Sequence, residues 1–104
     1  MRILLDYEGR AIRLTAERRA HILEHPEMRT LEPAMELALA RPERVITPQS
    51  DPAVRLYYRD HPDMRVGGKY LCVVVKALRG DAFIVTAYLT DSIKRGVPTW
   101  PIAH

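Results

Sequence analysis

Apolar and polar residues alternate along most of the second half of the chain. Four runs rich in β-branched and aromatic residues predict strands over residues 44–47, 54–59, 69–78 and 82–90. Loops containing proline, glycine and aspartate separate the first three runs, and Arg79-Gly80-Asp81 indicates a tight turn before the last one. Because short connections of this kind join antiparallel neighbours, we expect these strands to form an antiparallel meander.

The first half of the chain shows a hairpin pattern followed by two helical patterns. Residues 2–7 and 11–14 are short apolar-rich runs on either side of Gly9, which suits a turn. Helical spacing recurs over residues 16–25, which follow Thr15 as N-cap and precede a proline. It recurs again over residues 33–41, which begin with Pro33 and are followed by Pro42. The predicted fold is therefore α+β, with an N-terminal hairpin and two short helices packed on one face of a four-stranded antiparallel sheet.

The composition agrees with one small globular unit. The 104 residues, 47% of them apolar, are expected to form a single domain with a core over about residues 12–96 and a C-terminal extension over residues 97–104. A domain of this size has one hydrophobic core, which disfavours an enzyme with a large substrate cavity. The net charge of +3 and the pI near 9.3 are compatible with a polyanionic partner such as nucleic acid.

Cysteine and apolar content indicate the compartment. The single cysteine, Cys72, cannot form an internal disulfide, and it lies in an apolar run that is typical of a core strand. No apolar run approaches the length of a membrane span, and residues 1–7 are too short for the apolar region of a signal peptide. We therefore expect a cytoplasmic protein without a membrane partner.

The strand periodicity predicts one polar sheet face. Because side chains alternate between faces, the polar positions of the second and last strands each fall on one side, and Lys76 marks the same side of the strand between them. These positions are Arg55, Tyr57, Arg59, Lys76, Thr86, Tyr88 and Thr90. They suit either an ordinary solvated sheet face or a phosphate site, in which guanidinium groups and hydroxyls converge on an anion.

The first helix carries two histidines in the pattern H-x-x-E-H, from His21 to His25. This spacing places both imidazoles on one helix face and is shared by one class of zinc peptidases, although the proline at position 26 ends the helix and no third ligand is evident. Histidine is also favoured near a helix C-terminus by the helix dipole. A third interpretation is that one of them acts as a general acid or base.

Four segments together carry a family resemblance over about residues 12–96. They are residues 21–28 (HILEHPEM), residues 54–59 (VRLYYR), residues 69–76 (KYLCVVVK), and residues 86–94, which begin with TAYLT and end at Lys94. In order and spacing they resemble the phage-associated nuclease domains of the superfamily that unites barnase, EndoU, colicin and RelE. The resemblance implies helices followed by a four-stranded antiparallel sheet, and metal-independent, cofactor-free cleavage of RNA such as tRNA or mRNA.

The resemblance also implies roles for particular residues. Attack by the ribose 2′-hydroxyl, which leaves a 2′,3′-cyclic phosphate, requires a base, an acid and cations around the phosphorane. His21 or His25 would transfer the proton, Arg55 and Arg59 would hold the phosphate, and Tyr57 or Tyr88 would orient or stack on the RNA. Hydroxyl donors and additional positive charge would come from Thr86, Thr90, Lys69, Lys76 and Lys94. A phage or toxin context would add an antitoxin or immunity protein as a partner.

Two other functions compete with a ribonuclease. A non-catalytic module could use the same face to hold nucleic acid or an acidic protein, and the modest positive charge suits either function. A small metal-dependent hydrolase built on His21 and His25 is the third hypothesis.

Overall fold

The computed structural model describes residues 1–61 and 70–100. In that part of the chain, seven strands form one sheet, accompanied by two α-helices and a 3₁₀ turn at Pro26–Met28. The helices are α1 (Ala16–Leu23) and α2 (Glu32–Ala40). The strands are β1 (Arg2–Leu5), β2 (Ala11–Leu14), β3 (Arg44–Pro48), β4 (Val54–Asp60), β5 (Tyr70–Leu78), β6 (Asp81–Thr90) and β7 (Gly96–Trp100). None of the described helices is long and apolar enough to cross a membrane.

The sheet corrects the predicted fold class. Its strand order is β1-β2-β6-β5-β4-β3-β7, so the sheet has seven strands rather than the four antiparallel strands that we expected. The N-terminal hairpin joins the same sheet through a parallel pairing of β2 with β6, in which Arg13 lies opposite Phe83. The α+β class is retained, but the four-stranded antiparallel architecture that the resemblance implied is wrong.

Residues 97–100, expected in a C-terminal extension, lie within β7 and pair antiparallel with β3. Gly96, at the start of β7, is required by a close approach, because a Cβ there would lie 2.3 Å from the Thr47 carbonyl oxygen. A proline within the strand is tolerated because β7 is at the edge of the sheet.

Both helices cover the same face of the sheet, which we call the helix side. α1 packs on β6, whereas α2 packs on β1, β4 and β5. Thr15 caps α1 by accepting a hydrogen bond from the Arg18 backbone N–H at 3.2 Å, as the sequence predicted. The main core forms between the helices and the sheet, and its fully buried members include Ile12, Met28, Leu39, Val73 and Ile84.

A second, smaller apolar cluster lies on the opposite face, which we call the helix-free side. It is built from Ile46, Leu56, Tyr58 and Cys72. Residues 91–95 connect β6 to β7 across this face, and Ile93 packs on the cluster. Residues 91–95 therefore cover one part of the helix-free side, and the remainder of that sheet face lies next to this segment.

Candidate functional site

The predicted polar residues fall on two opposite faces of the sheet, so the single open face that we predicted is wrong. In the register of the sheet, Tyr57 of β4 lies opposite Val73 of β5, which in turn lies opposite Ala87 of β6. Residues directly opposite one another share a face, and Val73 and Ala87 belong to the core beneath the helices. Arg55 and Arg59, two positions either side of Tyr57, are therefore also on the helix side.

The other predicted strand residues lie on the helix-free side. Tyr88 is opposite Cys72, which belongs to the cluster of that side, and Thr86 and Thr90 follow the same alternation along β6. Lys76 lies two steps along β5 from Val74, which also packs there. The structure therefore brings Lys76, Thr86, Tyr88 and Thr90 to one face, but without the β4 residues.

An extra residue in β6 changes which face the side chains occupy at the start of that strand. Val74 pairs with Thr86 and Val75 with Ile84, so Val85 is inserted between two consecutive pairs as a bulge. Uninterrupted alternation along residues 83–90 would place Phe83 on the inward face with Ala87, and Ile84 on the outward face with Tyr88. Instead Ile84 is fully buried and Phe83 is only half-buried, because the bulge reverses the alternation on its N-terminal side.

Tyr57 has a structural partner on the helix side. Its side chain is 3% exposed and its hydroxyl donates a 2.8 Å hydrogen bond to Oδ2 of Asp6. Burial, followed by the hydrogen bond to Asp6, raises the pKa of the Tyr57 phenol far above its ordinary value. Oδ1 of the same aspartate accepts the backbone N–H groups of Glu8 and Arg10, each at 2.9 Å. The Oδ1 contacts shape the turn between β1 and β2, and the contact with Tyr57 holds that turn against β4.

The two β4 arginines bind backbone carbonyls. Nη1 of Arg55 donates to the carbonyl oxygens of Pro52 at 2.7 Å and Val54 at 3.0 Å. Nη1 of Arg59 donates to the carbonyl oxygen of Arg41 at 2.6 Å, near the end of α2. Long side chains of this kind carry their charge past the edge of the core to polar groups.

His21 on α1 and His25, two residues beyond the end of α1, lie apart from these arginines. Both imidazoles are exposed, with ring centroids 6.5 Å apart, and α1 packs on β6 rather than on β4. His21 Nδ1 lies 3.9 Å from a carboxylate oxygen of Glu24. Across residues 1–61 and 70–100, no group of three His, Cys, Asp or Glu side chains is arranged to hold a metal ion. The structure thus does not join the histidines to the predicted phosphate clamps.

Two tyrosines, a threonine and a lysine form the candidate site on the helix-free side. We call Tyr70, Thr86, Tyr88 and Lys94, with Tyr58 beneath them, the tyrosine face. Tyr70 pairs with Thr90 while Tyr88 pairs with Cys72, so the two half-buried tyrosines are diagonal neighbours on adjacent strands.

Tyr58 supports this arrangement from below. It is 1% exposed, its ring meets that of Tyr70 edge to face at 6.4 Å, and its hydroxyl oxygen accepts the Lys94 backbone N–H at 3.0 Å. The segment that crosses the sheet is therefore fixed at Lys94 to a buried side chain of β4.

Hydrogen bonds and charge also converge at Cys72 beneath the tyrosine face. Burial raises the pKa of this thiol to about 11, although hydrogen bonds from Tyr88 and Tyr58 and the charge of Lys94 act in the opposite direction. Burial likewise raises the pKa of Tyr58 to about 12 and that of Tyr88 further. At neutral pH the thiol and both phenols are protonated, so these groups offer hydrogen-bond donors rather than a base.

Two predicted residues of the same side already have protein partners. Nζ of Lys76 lies 2.5 Å from Oδ2 of Asp51, and this pairing lowers the pKa of the aspartate. The hydroxyl of Thr90 forms 3.2 Å hydrogen bonds with the backbone of Ser92, which shape the turn after β6. Lys69, the remaining predicted residue, lies outside the described residues.

A polar cleft on the helix side was not predicted from the sequence. We call it the hairpin cleft; its volume is about 240 Å³ and its lining is Asp6, Tyr7, Glu8, Arg10, Val45, Arg55, Tyr57 and Thr99. The spacing of Asp6 and Gly9 is typical of the first and fourth residues of a turn, and Gly9 adopts a φ of 80° there. That signal predicts the turn, but no signal in the sequence indicates that it folds onto β4.

Comparison of the chain with protein-family models, with curated proteins and with solved structures found no match.

Proposed function

We propose that this chain is a small RNA-binding domain that holds single-stranded RNA on the tyrosine face. The observation that carries the proposal is that Tyr70 and Tyr88 lie half-buried on adjacent strands, on the same sheet face as the crossing segment that bears Lys94. Aromatic side chains on a sheet face stack on unpaired bases, and each such contact contributes about 1–3 kcal/mol to binding.

The charge of this surface supports the same proposal. Lys94 lies close enough to Cys72 for its charge to act on the thiol, so a cation is held beside the tyrosines. Lysine near a stacking platform attracts the RNA backbone through counterion release. Thr86 adds a hydroxyl on the same face, which suits contacts to phosphate or ribose. The free, buried Cys72 suits the reducing cytoplasm, where we place this protein.

Metal-independent cleavage of the bound RNA is the second candidate function. It is favoured because Lys94 and the Tyr88 hydroxyl both act on the Cys72 thiol and so lie in the same region of this face, and a cation and a neutral donor together stabilise a phosphorane. The proton transfers would then require a base, and the groups expected for that role, His21 on α1 and His25 at the 3₁₀ turn, lie on the other face of the sheet. This arrangement favours binding over cleavage. No observation favours the metal-dependent hydrolase.

One experiment separates binding from cleavage. Purified protein is titrated into a labelled single-stranded oligoribonucleotide and into total tRNA, both in EDTA, while fluorescence anisotropy reports binding and mass spectrometry reports new RNA ends. We expect saturable binding and intact RNA. New 2′,3′-cyclic phosphate ends in EDTA would establish the nuclease instead, and the absence of any binding would overturn both candidates.

Variants of Tyr88 test the proposed surface. Tyr88→Phe keeps a ring for stacking, whereas Tyr88→Leu removes it, so we expect wild-type-like affinity for the first and about 5- to 150-fold weaker binding for the second. Arg18→Gln, which removes an exposed charge on the far side of the sheet, is the control. Circular dichroism establishes that each variant is folded. Equal affinities of the two Tyr88 variants would contradict stacking on this ring.

A further inference from the structure

The hairpin cleft combines two carboxylates, guanidinium groups and aromatic rings in a small space. The two carboxylates, Asp6 and Glu8, differ in how many of their hydrogen-bond acceptor positions are free for a ligand. Both oxygens of Asp6, which is 5% exposed, are occupied by the Tyr57 hydroxyl and by backbone N–H groups. Glu8 is exposed and interacts with the Tyr7 hydroxyl. A carboxylate has about four acceptor positions, so Glu8 retains capacity to accept hydrogen bonds from a ligand.

Two arginines bring donors to the same cleft. Among the hydrogen bonds of the described residues, Arg55 uses only Nη1, and Arg10 uses only Nη2, which donates to the carbonyl oxygens of Leu78 and Asp81. Nε and the second terminal nitrogen of each guanidinium are therefore available to a ligand. The charge of Arg55 reaches the Tyr7 phenol, where it opposes the increase in pKa to about 12 that is caused mainly by burial.

Aromatic rings form the walls. Tyr7 and Tyr57 meet edge to face, with centroids 6.2 Å apart and planes at 64°. Tyr7 is fixed from outside by Trp100, whose ring lies 5.0 Å away and whose Nε1 donates to the Pro42 carbonyl oxygen at 3.2 Å. The rings are thus held by contacts within the protein, which lowers the entropic cost of placing a flat ligand against them.

The β3 wall also has an unsatisfied polar atom. Thr47 lies two residues from Val45, which lines the cleft, and therefore on the same face of β3. Its Oγ1 is buried and has no hydrogen-bond partner within the described part of the chain. Buried hydroxyls are usually hydrogen-bonded; this unpaired one lies on β3, two residues from the lining residue Val45, and does not itself line the cleft.

We propose that the hairpin cleft binds a nucleobase whose edge carries adjacent N–H donors and a carbonyl acceptor, as guanine does. Glu8 accepts the two N–H groups of that edge, Arg55 or Arg10 donates to the carbonyl oxygen, and the base lies against the half-buried ring of Tyr7. Guanine O6 is an established acceptor for guanidinium groups, which in DNA complexes bind it together with N7. The volume of about 240 Å³ is below that of ordinary drug-sized pockets, which suits one base rather than a folded nucleotide or peptide.

The proposed guanine site and the proposed RNA-binding function concern the same class of ligand. A role of this site in RNA recognition rests on the proposed function. The cleft and the tyrosine face are nevertheless on opposite sides of the sheet and share no residue. Binding of a free nucleotide to the cleft can therefore be measured without binding of RNA to the tyrosine face.

The test uses the full chain and free mononucleotides. Isothermal titration with guanosine, adenosine, cytidine and uridine 5′-monophosphates, and with inorganic phosphate, is combined with amide chemical shifts of residues 6–10. We expect guanosine monophosphate to bind at least tenfold more tightly than the others and to shift these amides. Glu8→Gln, which keeps the size of the side chain, should weaken guanosine binding at least tenfold and leave adenosine binding unchanged.

Controls distinguish this site from other sources of binding. Glu17→Gln removes an exposed carboxylate on α1 and should leave guanosine binding unchanged. Equal affinity for the four nucleotides, binding of phosphate alone, or no binding would overturn the base site. If guanosine binds and Tyr88→Leu leaves that affinity unchanged while RNA fails to bind, the base site stands and the proposed function fails. If RNA binds but guanosine monophosphate shows no preference, the proposed function stands and the base site fails.

Discussion

The hydroxyl of Tyr57 donates a 2.8 Å hydrogen bond to Oδ2 of Asp6, joining the middle of β4 to the turn between β1 and β2. β1 is at one edge of the sheet, and β2, β6 and β5 lie between it and β4. The turn can reach β4 only if the sheet curls around the helices, and the contact of Tyr7 with Trp100 on β7 shows the same closure. This curling creates the hairpin cleft.

Replacing Tyr57 by phenylalanine is expected to destabilise the protein. The substitution keeps the buried ring but removes the hydroxyl, which leaves Oδ2 of Asp6 in a largely buried position without that donor. Loss of one partner of a buried hydrogen bond costs about 1–3 kcal/mol. Urea denaturation followed by circular dichroism measures the change. Tyr7→Phe, which removes a more accessible hydroxyl of the same cleft, should cost less, and an equal or larger cost would contradict this assignment.

The sequence predicted local structure better than it predicted sheet pairing. The cap at Thr15 and the end of α1 before Pro26 depend on neighbouring residues, so both are visible in the sequence. β7 was missed because Pro98 weakens the strand pattern. A proline is tolerated in this strand because β7 is at the edge of the sheet, where the missing N–H of Pro98 is not needed by a neighbouring strand. Edge position is a property of the tertiary fold.

The candidate site was predictable only within single strands. Alternation correctly grouped Thr86 with Tyr88. It could not show that Tyr57 lies on the other face, because the faces of different strands were matched only by the polarity of their side chains. A tyrosine can be at the centre of a core when its hydroxyl has a buried partner, and here that partner is Asp6, 51 residues away in sequence. Pairing of this range is not encoded in a local pattern.

The ion pair between Arg13 and Asp81 predicts an acid-dependent contribution to stability. Two 2.9 Å hydrogen bonds from Arg13 lower the pKa of Asp81 below its ordinary value. Because the folded pKa is below the unfolded pKa of about 4, the stabilisation is present above pH 4 and is lost as the pH falls through the folded pKa.

The variant Asp81→Asn tests this sign. Its melting temperature should be lower than that of the wild type at pH 6, and the difference should shrink as the pH falls to 2. High salt should reduce the difference at pH 6, since both side chains are partly exposed. Glu17→Gln provides the control for removal of an unrelated carboxylate. A difference that grows with decreasing pH would contradict the predicted sign.

Gly96→Ala is expected to weaken the docking of β7. The added Cβ would lie 2.3 Å from the Thr47 carbonyl oxygen and 2.7 Å from Cγ2 of Ile46, so the backbone of β3 or β7 must move. Steric insertions of this kind cost about 1–3 kcal/mol. Hydrogen exchange of the β7 amides, together with the urea midpoint, measures the effect. Val97→Ala, at a neighbouring exposed position, should change both measurements little; equal effects of the two variants would refute the close approach.

The two lysines of the helix-free side should contribute unequally to RNA binding. Lys76 is paired with Asp51 at 2.5 Å, so its charge is largely offset, whereas Lys94 is held at the tyrosine face by the hydrogen bond from its backbone N–H to Tyr58. If RNA lies on this face, Lys94→Gln removes one phosphate contact, and the slope of log affinity against log salt concentration should decrease by about 0.7. Lys76→Gln should leave that slope almost unchanged. Anisotropy titrations between about 50 and 200 mM salt measure both slopes. Asp51→Asn is included as a third variant, because it should free Lys76 and increase the slope. A larger loss for Lys76→Gln than for Lys94→Gln would place the RNA path at the other end of β5, away from the tyrosines.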